Sequence, residues 1–274
     1  MIVVWIIIII MTALAASSIL SRRGRLVLIT RPDELSEQKG LMDYFRRFSE
    51  CDRAARPGCS DATQYLSLLV REPADRSVLE IAVENARSAI RSASRSGLSE
   101  SLGIRDADAV LKTLNDPSLP WKIAVLDDLA ENGWPHTHGE IICIPRSFRA
   151  LPNLVQTLVH ERVHVAQRRH PIVFRDGIAV GEWGMKPRPV DELDPRLSKF
   201  VRSNPDLDGF FYENREGVTT VSLFPSVESA KQGLRAAVAR TFKDGEEIDG
   251  SGNTHEEHPY ETQAYVIAES IVSA

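Results

Sequence analysis

Residues Leu158-Val159-His160-Glu161-Arg162-Val163-His164-Val165-Ala166-Gln167 decide how this chain is read. His160 and His164 stand four apart, so on a helix their imidazoles leave the same face one turn from each other. Two imidazoles so placed reach a single metal ion at about 2.0–2.1 Å. Glu161 is rotated from His160 by about 100°, where its carboxylate meets a water on the metal rather than the metal itself. Leu154, Val155, Leu158, Val159, Val163 and Val165 supply the apolar text of a buried helix, and burial keeps imidazoles neutral and available as ligands. The competing reading is an exposed amphipathic helix carrying two solvated histidines.

Two histidines leave a catalytic metal one protein ligand short, because such sites use three. Near the C-terminus runs His255-Glu256-Glu257-His258-Pro259-Tyr260-Glu261-Thr262-Gln263-Ala264-Tyr265. Pro259 suits the first position of a helix, which places Glu261 in its first turn. Ala264 and Ala268 then follow at helical spacing, small enough to let this helix press against the one bearing His160 and His164. Glu261 is therefore the expected third ligand, with His258 and His255, and after them Glu256, Glu257 or Glu269, as alternatives. Without any metal, a carboxylate in a first turn is also favoured by the helix dipole.

H-E-x-x-H on a helix, followed downstream by a helical E-x-x-A, resembles the zincin metallopeptidases, and their gluzincin branch in particular. The extension to Gln167 is similar to that of small secreted or toxin-associated zincin domains. The metzincin continuation is absent, since Gln167 stands where that pattern needs glycine. The resemblance implies an α+β, zincin-like fold: a small twisted sheet, the motif helix beneath it, and a second helix bringing the third ligand. It further implies a zinc-dependent peptidase with one Zn²⁺ per chain, Glu161 as general base, and a peptide or protein substrate laid along an edge strand beside the motif helix. Glu140–Ile144 is the expected edge strand. His136 and His138 share a face if their segment is a strand, and either takes part in the site or belongs to a polar loop. Tyr212, Tyr260 and His258 are the other candidates for stabilising an oxyanion. Gln167 is either a support for the metal ligands or polar surface.

The rest of the chain sets the frame. With 274 residues, 43% hydrophobic and 26% charged, it has material for a sizeable core. A net charge of −5 without a basic stripe argues against nucleic acid as a partner. Three cysteines, Cys51, Cys59 and Cys143, are too few for a disulfide scaffold and lack metal-binding spacing. Met1–Leu20 has no charged side chain and is followed by Arg22, Arg23 and Arg25. Residues 1–21 are read as a transmembrane anchor with the body on the cytoplasmic side, or as a signal peptide cut near Ala13-Leu14-Ala15 to release a secreted form. Residues 22–40 read as a connector and 41–274 as the metallopeptidase domain. Within it, 41–115 is a helical part that walls or blocks the cleft, and 116–274 carries the metal site. Trp121–Leu126 and Glu140–Ile144 read as strands, 171–209 as loop with short elements, and Phe210–Tyr212 and Val218–Phe224 as strands. Ser226–Thr241 reads as a helix, Lys243–Thr254 as a polar loop, and Tyr260–Val272 as the closing helix. The alternative of another class is a non-catalytic zincin-like zinc-binding protein or a membrane-tethered interaction protein.

Overall fold

The computed structural model describes residues 26–96, 106–180, 183–189, 192, 194–207, 210–214, 216–244, 246–252 and 258–274. The expected anchor over residues 1–21 and the alternative ligand His255 lie outside them. Among the described residues no helix is long and apolar enough to cross a membrane.

Two apolar strands organise the core. Trp121–Leu126 (β2) and Ile141–Pro145 (β4) pair in parallel, and Leu26–Ile29 (β1) lies parallel on the other side of β2. His136–His138 (β3) turns back onto β4, giving a mixed sheet of order β1-β2-β4-β3. Both faces of the central strands are buried, as parallel strands require. Ile123, Val125, Ile142 and Ile144 face one helical layer, while Ala124, Leu126, Ile141 and Cys143 face the other. The first layer comprises Arg76–Ala93 (α5), Ala107–Leu114 (α6), Leu154–Arg169 (α7) and Pro259–Ser273 (α11). The second comprises Pro32–Ser36 (α1), Leu41–Arg46 (α2) and Ala62–Ser67 (α4). Glu50–Ala55 (α3) packs instead with Val227–Ala230 (α10). Helices Pro171–Val180 (α8) and Pro195–Ser198 (α9) complete the set. A second, antiparallel sheet runs Trp183–Pro189 (β5), Phe210–Asn214 (β6), Val218–Leu223 (β7), Val238–Lys243 (β8) and Glu246–Gly252 (β9) in sequential order. The fold is α+β.

Several sequence expectations are corrected. Leu26–Ile29 is not part of a connector but the strand β1. The helices of the 41–115 part cover both faces of the sheet formed with the 116–274 part. Glu140–Ile144 is not the edge: β4 lies between β2 and β3, and β3 is the edge strand. The reversal that creates this edge needs Gly139, whose φ is +57° and whose missing Cβ leaves room for the Gln38 side chain. The single helix expected over Ser226–Thr241 is a short α10 followed by β8, and the loop expected after it carries β9. Gly233 breaks that helix with φ +98°, a region closed to other residues. A Cβ there would also lie 2.7 Å from Asn132 Nδ2. Gly233→Ala is expected to cost about 1–3 kcal/mol, read from urea unfolding; an unchanged midpoint would mean that the turn tolerates a side chain.

Arg162, inside the motif, fixes the motif helix to the sheet. Its buried guanidinium lies 5.0 Å from the Trp121 ring and donates to the carbonyls of Leu119 (2.8 Å) and Pro120 (3.1 Å).

Candidate metal centre

Helices α7 and α11 pack on each other, and Val163 and Ala166 of one and Ala264 and Ala268 of the other are buried in the same core. Helix α11 begins at the N-cap His258, whose Nδ1 accepts the Tyr260 N–H at 3.2 Å, with Pro259 in the first turn. That start places Glu261 opposite the two histidines. His160 Nε2 and His164 Nε2 lie 3.0 Å apart, and Glu261 Oε2 lies 3.4 and 3.5 Å from them. These three buried donors could hold one metal ion.

The surrounding groups orient the donors. His164 Nδ1–H donates to Gln167 Oε1 at 2.9 Å, which leaves the Nε2 lone pair aimed at the centre. Gln167 is itself fixed, its amide donating to Tyr260 O and Gln263 Oε1, both at 3.0 Å. Gln167 is thus buried behind His164 and is not surface. Glu261 Oε1 accepts from Asn204 Nδ2 at 2.9 Å.

Charge is concentrated here. Burial pushes the Glu161 carboxyl well above its ordinary range, Asp206 and Glu261 add to that, and Arg168 opposes it. Burial alone would raise Glu261, but His164 and His160 outweigh it and hold it well below the usual carboxylate range. For His164 burial is overcome by Glu261 and Asp206, and its pKa rises; for His160 burial prevails and its pKa falls. Of the four groups only Glu261 and His164 are shifted toward their charged forms, and they face each other at 3.5 Å.

His160, Glu161 and Glu261 open onto a cleft of about 440 Å³. His136 lines the same cleft, but both its ring nitrogens are engaged: Nδ1–H donates to Trp134 O at 2.8 Å, and Nε2 accepts the Tyr65 hydroxyl at 2.7 Å. His138 faces a second hollow of about 500 Å³, together with His164, Gln167 and Tyr260. Burial, then His136 and Arg168, pull His138 well below the ordinary histidine value. Neither histidine belongs to the cluster of His160, His164 and Glu261. Tyr212 and Tyr260 pack against His258, at 4.6 and 5.4 Å between ring centroids, and none of the three lines the first cleft.

Residues that sequence reasoning misses line the cleft instead. Tyr265, one turn after Glu261 on α11, lies 4.4 Å from the His160 ring, and its helical spacing from Glu261 was the available sign. Arg202, Ser203, Asn204 and Asp206 come from a segment with no motif of its own. Asp206 Oδ1 accepts from Thr137 N at 2.6 Å, taking the outward N–H of the edge strand. Comparison with known protein families, curated proteins and solved structures finds no match for this chain.

Proposed function

We propose that this chain is a zinc-dependent peptidase. The observation that carries the proposal is the donor triangle of His160, His164 and Glu261, with edges of 3.0, 3.4 and 3.5 Å. Zinc bonds of about 2.0–2.1 Å at tetrahedral angles separate donors by about 3.3 Å, and the edges of the triangle are of that size. The nitrogen and oxygen donors, with Gln167 behind one imidazole, suit the same metal. A zinc ion held there supplies Lewis acidity and lowers the pKa of a water.

The chain's own residues do the rest. Glu161, buried beside the triangle and facing the cleft, takes a proton from the attacking water and returns it to the leaving amine. Tyr265 and Arg202 are two of the polar side chains lining the cleft in which an oxyanion would develop. The edge strand β3 borders the cleft through His136, and an extended peptide would lie along it.

One observation favours a zinc-binding protein that does not cut. The Thr137 N–H, which an added strand would use, is already held by Asp206. A peptide-library assay separates the two readings.

Metal content by mass spectrometry on the purified chain, beside His160→Ala and Glu261→Ala, tests the centre. The expected result is one zinc per chain, lost in both variants. Zinc retained by Glu261→Ala would remove Glu261 from the ligand set, and no zinc in the parent, purified without chelator, would overturn the proposal.

A further inference from the structure

Glu261 has two carboxylate oxygens, and the site uses them differently. Oε2 faces both histidines, while Oε1 accepts from Asn204 Nδ2 at 2.9 Å. The orientation of that amide follows from its other end, since Asn204 Oδ1 accepts the Asp206 N–H at 2.9 Å. Asn204 therefore presents a donor to Glu261 and occupies the oxygen that would otherwise be free to turn toward the metal.

What holds Asn204 lies in the helical part of the chain. Every polar group of its neighbour Ser203 is bound there. Ser203 N and Oγ donate to the Asp52 carboxylate, both at 2.9 Å, and Ser203 O accepts from Arg56 Nη2 at 2.6 Å. Asp52 and Arg56 are wholly buried and paired at 2.7 Å, with Glu131 on the other side of the guanidinium at 2.8 Å. On the far side, Pro205 O accepts from Arg168 on the motif helix at 3.0 Å. The segment is pinned at both ends, with its one ligand-directed amide between. A buried ionic cluster is an inefficient way to gain stability, whereas holding a backbone turn in register is a use that suits it.

We propose that Asn204 is the positioning residue of the third metal ligand, presenting a single oxygen of Glu261 to the metal, and that Asp52 and Arg56 hold Asn204 in register. This rests on the zinc reading above. It gives residues 50–56 a role in the metal site, although none of them is a ligand.

The test measures zinc affinity by chelator competition and the visible spectrum of the Co²⁺-substituted full chain. Asn204→Ala is expected to weaken zinc binding about 10–100-fold. It should also change the Co²⁺ spectrum, because Glu261 can then coordinate through both oxygens. Asp52→Asn should shift affinity the same way by about fivefold, the worth of one hydrogen bond. If that variant does not fold, Ser203→Ala, which removes only the hydroxyl bond, takes its place. Asn204→Ala with unchanged affinity and spectrum would overturn the proposal. An impaired Asn204→Ala beside an unaffected Asp52→Asn would overturn the part assigned to Asp52 and Arg56. A parent chain that takes up no zinc would overturn the function itself, which separates the two failures.

Discussion

Glu161→Gln is expected to slow peptide hydrolysis by about 10²–10⁴-fold while leaving zinc bound. The two halves of that result have different physical origins. The side chain is 3% exposed, and Oε2 is buried without a hydrogen-bond partner among the described residues. It stands outside the donor triangle, which is closed by Glu261. Glutamine keeps the shape and hydrogen-bonding reach of the residue but cannot take up a proton, so metal uptake survives and proton transfer does not. Burial, Asp206 and Glu261 together raise the Glu161 carboxyl against the opposing pull of Arg168, which makes it a stronger base than an ordinary carboxylate. Measuring turnover and zinc content on the same sample checks both halves. Full turnover in zinc-loaded Glu161→Gln would remove Glu161 from the mechanism, and loss of zinc would make it a ligand.

Which parts of the site are legible in the sequence follows from how far apart the contacts are. His160 and His164 lie on one turn of one helix, so spacing alone brings them together. Glu261 is legible through a local sign, the helix start at Pro259, and through the small residues that let two helices approach. Asn204 and Asp206 carry no such sign. The contacts that define their segment reach back 151 residues to Asp52 and 69 to Thr137, and no periodicity records such distances. The same holds for the sheets. Four residues of β1 are too few to show alternation, and their partner β2 follows only after the intervening helices. Asn132-Gly133 is a pair suited to a turn, with φ of +54° and +75°, but the φ of +46° at Glu131 does not follow from its residue type. That backbone is held by contacts from elsewhere: Arg56 Nε and the Tyr44 hydroxyl both donate to the Glu131 carboxylate, at 2.8 and 2.9 Å. His136 and His138, two apart on β3, share a face as a strand requires, and there they meet Tyr65 and each other, His136 at the cleft and His138 at the second hollow.

Replacing Arg56 by methionine should destabilise the protein by about 3–5 kcal/mol. The guanidinium is wholly buried, with its centre 4.6 Å from the Phe48 ring. It donates to Asp52, Glu131, the Tyr44 hydroxyl and the Ser203 carbonyl. Methionine fills much of the volume and keeps the contact with Phe48, so packing contributes little to the loss. The dominant effect is that two carboxylates, 0% and 2% exposed, remain in the interior without their cation. For a chain of this size that corresponds to a fall in Tm of about 10 °C. The electrostatic origin has a signature that a packing defect lacks: adding Glu131→Gln to Arg56→Met removes one uncompensated charge, so the double variant should melt above the single one. Thermal unfolding of the parent, both single variants and the double variant closes the cycle. A double variant that melts at or below Arg56→Met would mean that the cluster acts through shape. Recovery would show that the helical part and the loop after β2 are joined by charge at Arg56, which also holds Ser203 in the wall of the cleft.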